Sequence, residues 1–246
     1  IKGKGVSFME HTSINSNEEN YKFHSGAPTA EAYGQAAQEL IDNANAMLTA
    51  LSAVPLELDT VIRSAVVLPD NPQRLIQAYA VALIDQARKN PNIVALDADL
   101  ILDTGLIPFK QEFPDRFVEC GIAEQDMVSQ AGGMALRGLL PIVHSFACFL
   151  SSRPNEQIYN NATEYTKIIY VGSLAGVLPG GPGHPNQSVR DISILSSIPG
   201  LTLIQPCNEV ETRQALQWAV HENSQSTYIR LVSIPCETQF SLPQSY

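Results

Sequence analysis

Apolar residues recur at three- and four-residue steps through Ala36, Ala37, Leu40, Ile41, Ala44, Met47, Leu48 and Leu51. That spacing lines one face of an α-helix. Thr29 stands at the N-cap position and Glu31 in the first turn, where a carboxylate complements the helix dipole. A second stripe, Leu75, Ile76, Tyr79, Ala80, Leu83, Ile84 and Ala87, predicts another helix, opened by Asn71-Pro72 and stopped by Asn90-Pro91-Asn92. Residues 1–28 are polar and rich in Gly and Asn, with one possible short strand at 1–8, and 56–71 reads as a connector.

From residue 93 the period alternates. Short apolar runs predict strands at 93–96, 117–120, 141–144, 167–171, 201–205 and 227–232. Helical stripes between them predict helices at 123–136, 146–164, 188–196 and 209–222. Strands alternating with helices over short connections imply an α/β fold, with a mainly parallel sheet covered by helices on both faces. Ligands of such sheets sit beyond the carboxyl ends of the strands. The segments to search are therefore 97–104, 120–126, 145–153, 172–187 and 205–209.

Composition narrows the function classes. The 246 residues carry 15 Lys+Arg against 25 Asp+Glu, a formal charge of −10, and the isoelectric point is near 4.9. Nucleic acids and anionic membranes call for a basic surface, so neither is an expected partner. Cys120, Cys148, Cys207 and Cys236 are scattered, without zinc spacing, and read as buried free thiols of a reducing compartment. The longest apolar stretch, 139–150, is twelve residues interrupted by Pro141 and His144, too short to span a bilayer. No secretion signal opens the chain, and a cytoplasmic location is expected.

The sharpest segment is FVECGIAEQDMVSQAGGMALRG at 117–138. A strand runs into Gly121, Glu124 begins a helix, and Ala131, Gly132, Gly133 and Ala135 allow close approach of another backbone. Taken alone, Glu124 and Asp126 could simply complement the helix dipole. In order along the chain come KGKGVSFME, FHSGAP, DADL, DRFVECGIAEQDM, HSFACFL, GGPGH and PCNEVET. Together these resemble the thiamine-diphosphate enzymes related to transketolase, across nearly the whole chain and chiefly in their pyrimidine-binding domain. The resemblance implies the tail of a diphosphate-binding domain at 1–28, a helix and interdomain linker at 29–71, and a pyrimidine-binding α/β domain at 72–246.

The resemblance also implies roles for particular residues. Glu124 would hydrogen-bond the aminopyrimidine ring at N1′, which requires a desolvated carboxyl able to share a proton. Phe149 would stack on that ring, with Phe146 beside it and Ser152 where relatives often have a third aromatic. Asp99 would lie near the thiazolium side, and His24 and His184 would line the substrate channel and move protons. Arg230 and Arg153 are candidates for an anionic substrate group.

Two departures set the chain apart from relatives that take ketose phosphates. Gly180 replaces an acid, and Val171-Gly172-Ser173 stands where a Thr-His-Asp segment is usual. No Gly-Asp-Gly segment for the diphosphate and its divalent ion occurs, and no residue here is assigned to a metal. Thiamine diphosphate with Mg2+ or Ca2+ would therefore require a diphosphate-binding domain from a longer polypeptide, a second subunit or another chain, in a homodimer or heteromer. The implied activity is transfer of a two-carbon ketol unit between small sugars. A carboligase making a deoxysugar phosphate from pyruvate, or a non-catalytic assembly subunit, are the alternatives.

Overall fold

The computed structural model describes residues 29–57, 59, 70, 72–177 and 183–237. The chain divides into two units, Ile1–Val67 and Leu68–Tyr246. In the first, helix α1 (Ala30–Ala50) begins as its pattern predicts, the Thr29 hydroxyl accepting the Ala32 N–H at 3.2 Å. None of its residues is buried. Along its apolar stripe Leu40, Met47 and Leu51 are exposed, while Ala36, Ala37, Ile41, Ala44 and Leu48 are half-buried. After the helix, the Asn45 side chain clasps the backbone of Leu56, accepting its N–H at 2.6 Å and donating to its carbonyl at 3.0 Å. The predicted strand at 1–8 and most of the connector 56–71 lie outside the described residues.

In the second unit, helix α2 (Leu75–Lys89) starts later than Asn71-Pro72 predicts. Gln73 exchanges backbone hydrogen bonds with Cys236, and the Arg74 N–H goes to the Glu209 carboxylate, which holds this segment out of the helix. The remaining elements follow in order. Strand β1 (Ile93–Asp97) leads to α3 (Ile101–Thr104), α4 (Ile107–Glu112) and β2 (Phe117–Glu119). Helix α5 (Glu124–Leu136), β3 (Leu140–Phe146), α6 (Ala147–Ser152), α7 (Asn155–Thr163) and β4 (Ile169–Ser173) come next. Helix α8 (Asp191–Leu195), β5 (Thr202–Ile204), α9 (Glu209–His221) and β6 (Thr227–Arg230) complete the unit.

The six strands form one sheet in the order β2-β1-β3-β4-β6-β5, parallel throughout. Alternate residues of each central strand enter two different apolar clusters, as the two-residue period requires. Ile93, Ala95, Ile142, Ile169 and Ile229 pack with Leu75, Leu83 and Leu216 on one face. Val94, Leu96, Val143, Tyr170 and Tyr228 pack with Met127, Val128 and Ile158 on the other. The α/β class and two-sided burial thus match the sequence pattern.

Two local expectations need correction. The helix predicted over 146–164 is two helices: Phe146 ends β3, and Pro154, with no N–H to donate, separates α6 from α7. Helices α3 and α4 fill a stretch with no assigned pattern; both are too short for a stripe to show. All four cysteines are free, as expected, but only partly buried. No helix among the described residues is long and apolar enough to cross a membrane.

Candidate active site

The carboxyl ends of β1, β2 and β3 supply the core of the site. After β1 the chain turns sharply at Asp99, whose φ of 62° is left-handed. Aspartate tolerates this better than most side chains. The Asp99 N–H donates to the Glu119 carboxylate at 2.8 Å, and the Gly121 N–H donates to the same oxygen at 2.9 Å. Glu119 therefore ties together the turns following β1 and β2. Gly121, at φ 65°, uses its freedom to aim the chain into α5.

Glu124 opens α5 and is buried, with only 4% of its side chain exposed. No side chain caps this helix start, so the first-turn acids Glu124 and Asp126 are its local negative charges. Their fates differ: Asp126 is exposed and accepts a hydrogen bond from Gln130 at 2.5 Å, whereas Glu124 points at α6. Behind it, α5 packs against α7 at Gly132, where an added Cβ would lie 2.2 Å from Asn161 Oδ1. Gly133, beside it, has open space.

From β3 the chain passes through Phe146 into α6. Phe146 and Phe149 pair at 5.7 Å between ring centroids and 33° between planes. With Leu100, Leu174 and Cys148 they make a small apolar cluster over the sheet end. Arg153 follows one turn later. Its guanidinium lies 3.8 Å from the Phe149 ring centroid, and its Nη1 donates to the Glu124 carboxylate. Glu124, Arg153 and Phe149 are thereby stacked in sequence. The Ser152 hydroxyl turns back to the Cys148 carbonyl at 2.6 Å and takes no part in that stack.

Other predicted residues are placed as follows. His184 lies exposed in a 3-10 turn, His184–Asn186, that packs against α6. Asp99 is partly buried at the same sheet end. His24 and Gly180 lie outside the described residues. Arg230 is committed internally: Nε to Asp191 Oδ2 at 2.6 Å, Nη1 to Gln205 at 2.7 Å and Nη2 to the Ser188 carbonyl at 2.9 Å. The Tyr228 hydroxyl adds a bond of 2.9 Å to the same carboxylate, and Asp191 is 1% exposed. Arg230 therefore fastens the 188–191 segment to the sheet, and of the two candidate arginines Arg153 has the more exposed side chain, 41% against 11%.

Sequence reasoning passed over a buried polar group at the same sheet end. Asp97 closes β1 fully buried, accepting the Leu100 N–H at 2.6 Å and the Thr104 hydroxyl at 2.9 Å. Burial raises its pKa to about 7, with Glu119 and Asp99 adding repulsion. His144, its register partner on β3, is held neutral by burial, with a pKa lowered to about 4. Its Nδ1–H donates to the Leu96 carbonyl at 3.0 Å, so Nε2 accepts from the Tyr79 hydroxyl at 2.7 Å. The acid that opens the DADL segment was the available signal for Asp97; for Tyr79 and His144, 65 residues apart, none existed.

The slot between Phe149 and the Glu124 carboxylate suits a flat, N–H-donating heteroaromatic: an apolar face for the ring, and a buried acceptor at its edge. An aminopyrimidine has that shape and, once its ring nitrogen is protonated, that donor, and a planar cation already makes both contacts. Among the described residues no group of three His, Cys, Asp or Glu side chains could hold a metal ion.

Residues 72–233 match the family described as "Transketolase, pyrimidine binding domain". The chain is 35% identical over 163 residues to a 6-deoxy-6-sulfo-D-fructose transketolase subunit of Clostridium sp. (strain MSTE9), covering 65% of this chain and 50% of that protein. It is 39% identical over 146 residues to transketolase-like protein 2 of Mus musculus, covering 59% of this chain and 23% of that one. Among solved structures, a split-gene transketolase described as an inactive beta4 tetramer superposes with a TM-score of 0.61 at 29% identity. That match covers 70% of this chain and 55% of the other. Transketolase from Leishmania mexicana shares the fold, with a TM-score of 0.64 at 19% identity over 85% of this chain and 33% of that one. This chain spans at most half the length of those two curated relatives. It belongs to the thiamine-diphosphate-dependent transketolase family and carries that family's pyrimidine-binding domain.

Proposed function

We propose that this chain supplies the aminopyrimidine-binding part of a transferase that passes a two-carbon ketol unit from a ketose to an aldose. The observation that carries the reading is the buried Glu124 carboxylate and the Phe149 ring engaging one and the same planar group, the Arg153 guanidinium, which stacks on the ring and donates along its edge to the carboxylate. Bound thiamine diphosphate supplies the carbanion chemistry. Phe149 would stack on its ring, with Phe146 behind, and the Glu124 carboxyl would hydrogen-bond the ring nitrogen N1′ and share its own proton with it. His184, on the turn beside α6, and His24 move protons at substrate hydroxyls, and Asp99 lines the same sheet end. Arg153 is the candidate for an anionic substrate group.

The diphosphate and a Mg2+ or Ca2+ ion are held by a diphosphate-binding domain, on the same polypeptide or on another, in a homodimer or heteromer. In this reading residues 1–28 belong to that domain, 29–71 are helix and linker, and 72–246 form the pyrimidine domain; the site is cytoplasmic and the substrates are small sugars. Support for shared assembly comes from relatives that are themselves parts: a transketolase subunit, and a putative transketolase C-terminal section from Methanocaldococcus jannaschii, 34% identical over 157 residues. A carboligase reading has its own support in 37% identity over 147 residues to 1-deoxy-D-xylulose-5-phosphate synthase of Natranaerobius thermophilus.

The test is turnover by the complete enzyme, offered ketose plus aldose and, separately, pyruvate plus an aldose phosphate. Ketol transfer with the first pair supports the proposal, and product only from pyruvate moves the assignment to the carboligase. In either assay, Glu124→Gln should lower kcat by about 100-fold or more while circular dichroism is unchanged. Near-normal turnover of that variant removes Glu124 from the chemistry.

A further inference from the structure

The slot assigned to the aminopyrimidine is filled from within the chain. Arg153 lies against the Phe149 ring at 3.8 Å and donates to Glu124. Those are the two contacts that a flat, protonated nitrogen heterocycle makes with an aromatic face and a carboxylate. A guanidinium is planar, delocalised and permanently charged, and it stacks on aromatic faces while donating along its edge. Its shape and its charge at the bonding edge imitate an amidine-type ring nitrogen. A ring stacked on the same face of Phe149 and bonded to the same Glu124 oxygen would take the place the guanidinium now holds.

Local structure favours this placement. Pro154 ends α6, so Arg153 is the last residue before the break, with φ −71° and ψ −53°, and its side chain leaves from the helix terminus. Glu124 is 4% exposed, so the arginine gives an otherwise buried carboxylate its partner. Arg153 itself is 41% exposed, so part of its side chain already lies in water.

We propose that Arg153 is an internal occupant of the aminopyrimidine slot, which thiamine diphosphate must displace before the ring can reach Glu124 and Phe149. This rests on the functional reading above. Arg153 acts as a competitor of the cofactor: it holds Glu124 paired and the aromatic face covered until the ring arrives, and it weakens apparent cofactor affinity by the free energy of its own contacts. One exposed cation–π contact and one half-exposed ion pair correspond to about a three- to tenfold effect on an equilibrium constant.

The test measures binding. In the complete enzyme, with its diphosphate-binding domain and Mg2+ present, thiamine diphosphate is titrated by calorimetry into the wild type, Arg153→Ala and Arg153→Lys. Alanine should bind about three- to tenfold more tightly than wild type. Lysine, which can pair with Glu124 but has no plane to stack, should fall between. In the wild type, the Arg153 Nε–H resonance, assigned by its loss in Arg153→Lys, should move out of the Phe149 ring current as the cofactor saturates. Unchanged or weaker binding by Arg153→Ala, or an arginine resonance that stays in place at saturation, overturns the inference while leaving the functional reading intact. Failure of the wild type and both variants to bind the cofactor overturns both.

Discussion

Asp97 and His144 are register partners on β1 and β3, and burial pushes them in opposite directions, the acid up to about 7 and the imidazole down to about 4. The signs follow from linkage. Asp97 binds its proton more tightly in the folded state, so its contribution to stability is full below about pH 4 and is lost as pH rises to about 7. His144 binds its proton less tightly in the folded state, so its contribution is full above about pH 6.5 and is lost as pH falls to about 4. Over the shared window the two slopes oppose. Asparagine fits the Asp97 site: its oxygen can accept the Leu100 N–H, and its amide can donate to the Thr104 hydroxyl, which then donates to the Leu100 carbonyl at 3.1 Å. Asp97→Asn should gain on the wild type steadily from pH 4 to 7, reaching roughly 4 kcal/mol, and hold that gain above pH 7. Urea denaturation across that range measures the difference, and a pH-independent difference would refute the assignment. At this scale the sequence singled out individual candidates, Glu124 and Phe149 among them, and the fold brings both into contact with Arg153. It concealed pairings: nothing in the local pattern joins Arg153 to Glu124, 29 residues away, and the fold does.

Helix α5 shows what an element adds. Its glycines sit side by side in the sequence and look equivalent, yet the fold separates them. Gly132 faces Asn161 of α7, whose amide also donates to the Val128 carbonyl at 3.0 Å, whereas Gly133 faces solvent. A methyl at 132 must push the Asn161 amide aside and break that tie between helices. Gly132→Ala should therefore cost about 1–3 kcal/mol. At 133 the methyl meets nothing, so Gly133→Ala should stabilise by about 0.5–1 kcal/mol through the unfolded chain's lost freedom. Thermal melts of the two variants should move in opposite directions, and a shared direction would contradict the packing. The same distinction governs legibility. Long stripes such as that of α2 and buried runs such as β1 were readable because periodicity alone specifies them. The break at Pro154 was obscured by apolar residues on both sides. The late start of α2 depends on Gln73 pairing with Cys236, a contact spanning 163 residues that no local pattern encodes.

On the scale of the whole molecule, the three apolar clusters found among the described residues draw their buried members from between Leu75 and Leu231. The Ile1–Val67 unit contributes none of them, and its helix leaves Leu40, Met47 and Leu51 exposed. A unit with its own two-sided core satisfies the physical definition of a domain and should fold without its neighbour. The motifs that prompted the family resemblance are spread over nearly the whole chain, but motif order says nothing about which part carries the stability; burial does. A chain beginning at Leu68 should therefore unfold in one cooperative transition within about 3 °C of the main transition of the full chain, a shift corresponding to well under 1 kcal/mol for a domain of this size. The comparison is a pair of calorimetric scans at matched concentration. A midpoint lowered by about 10 °C or more, or loss of cooperativity, would mean that residues before Leu68 supply stability absent from these clusters.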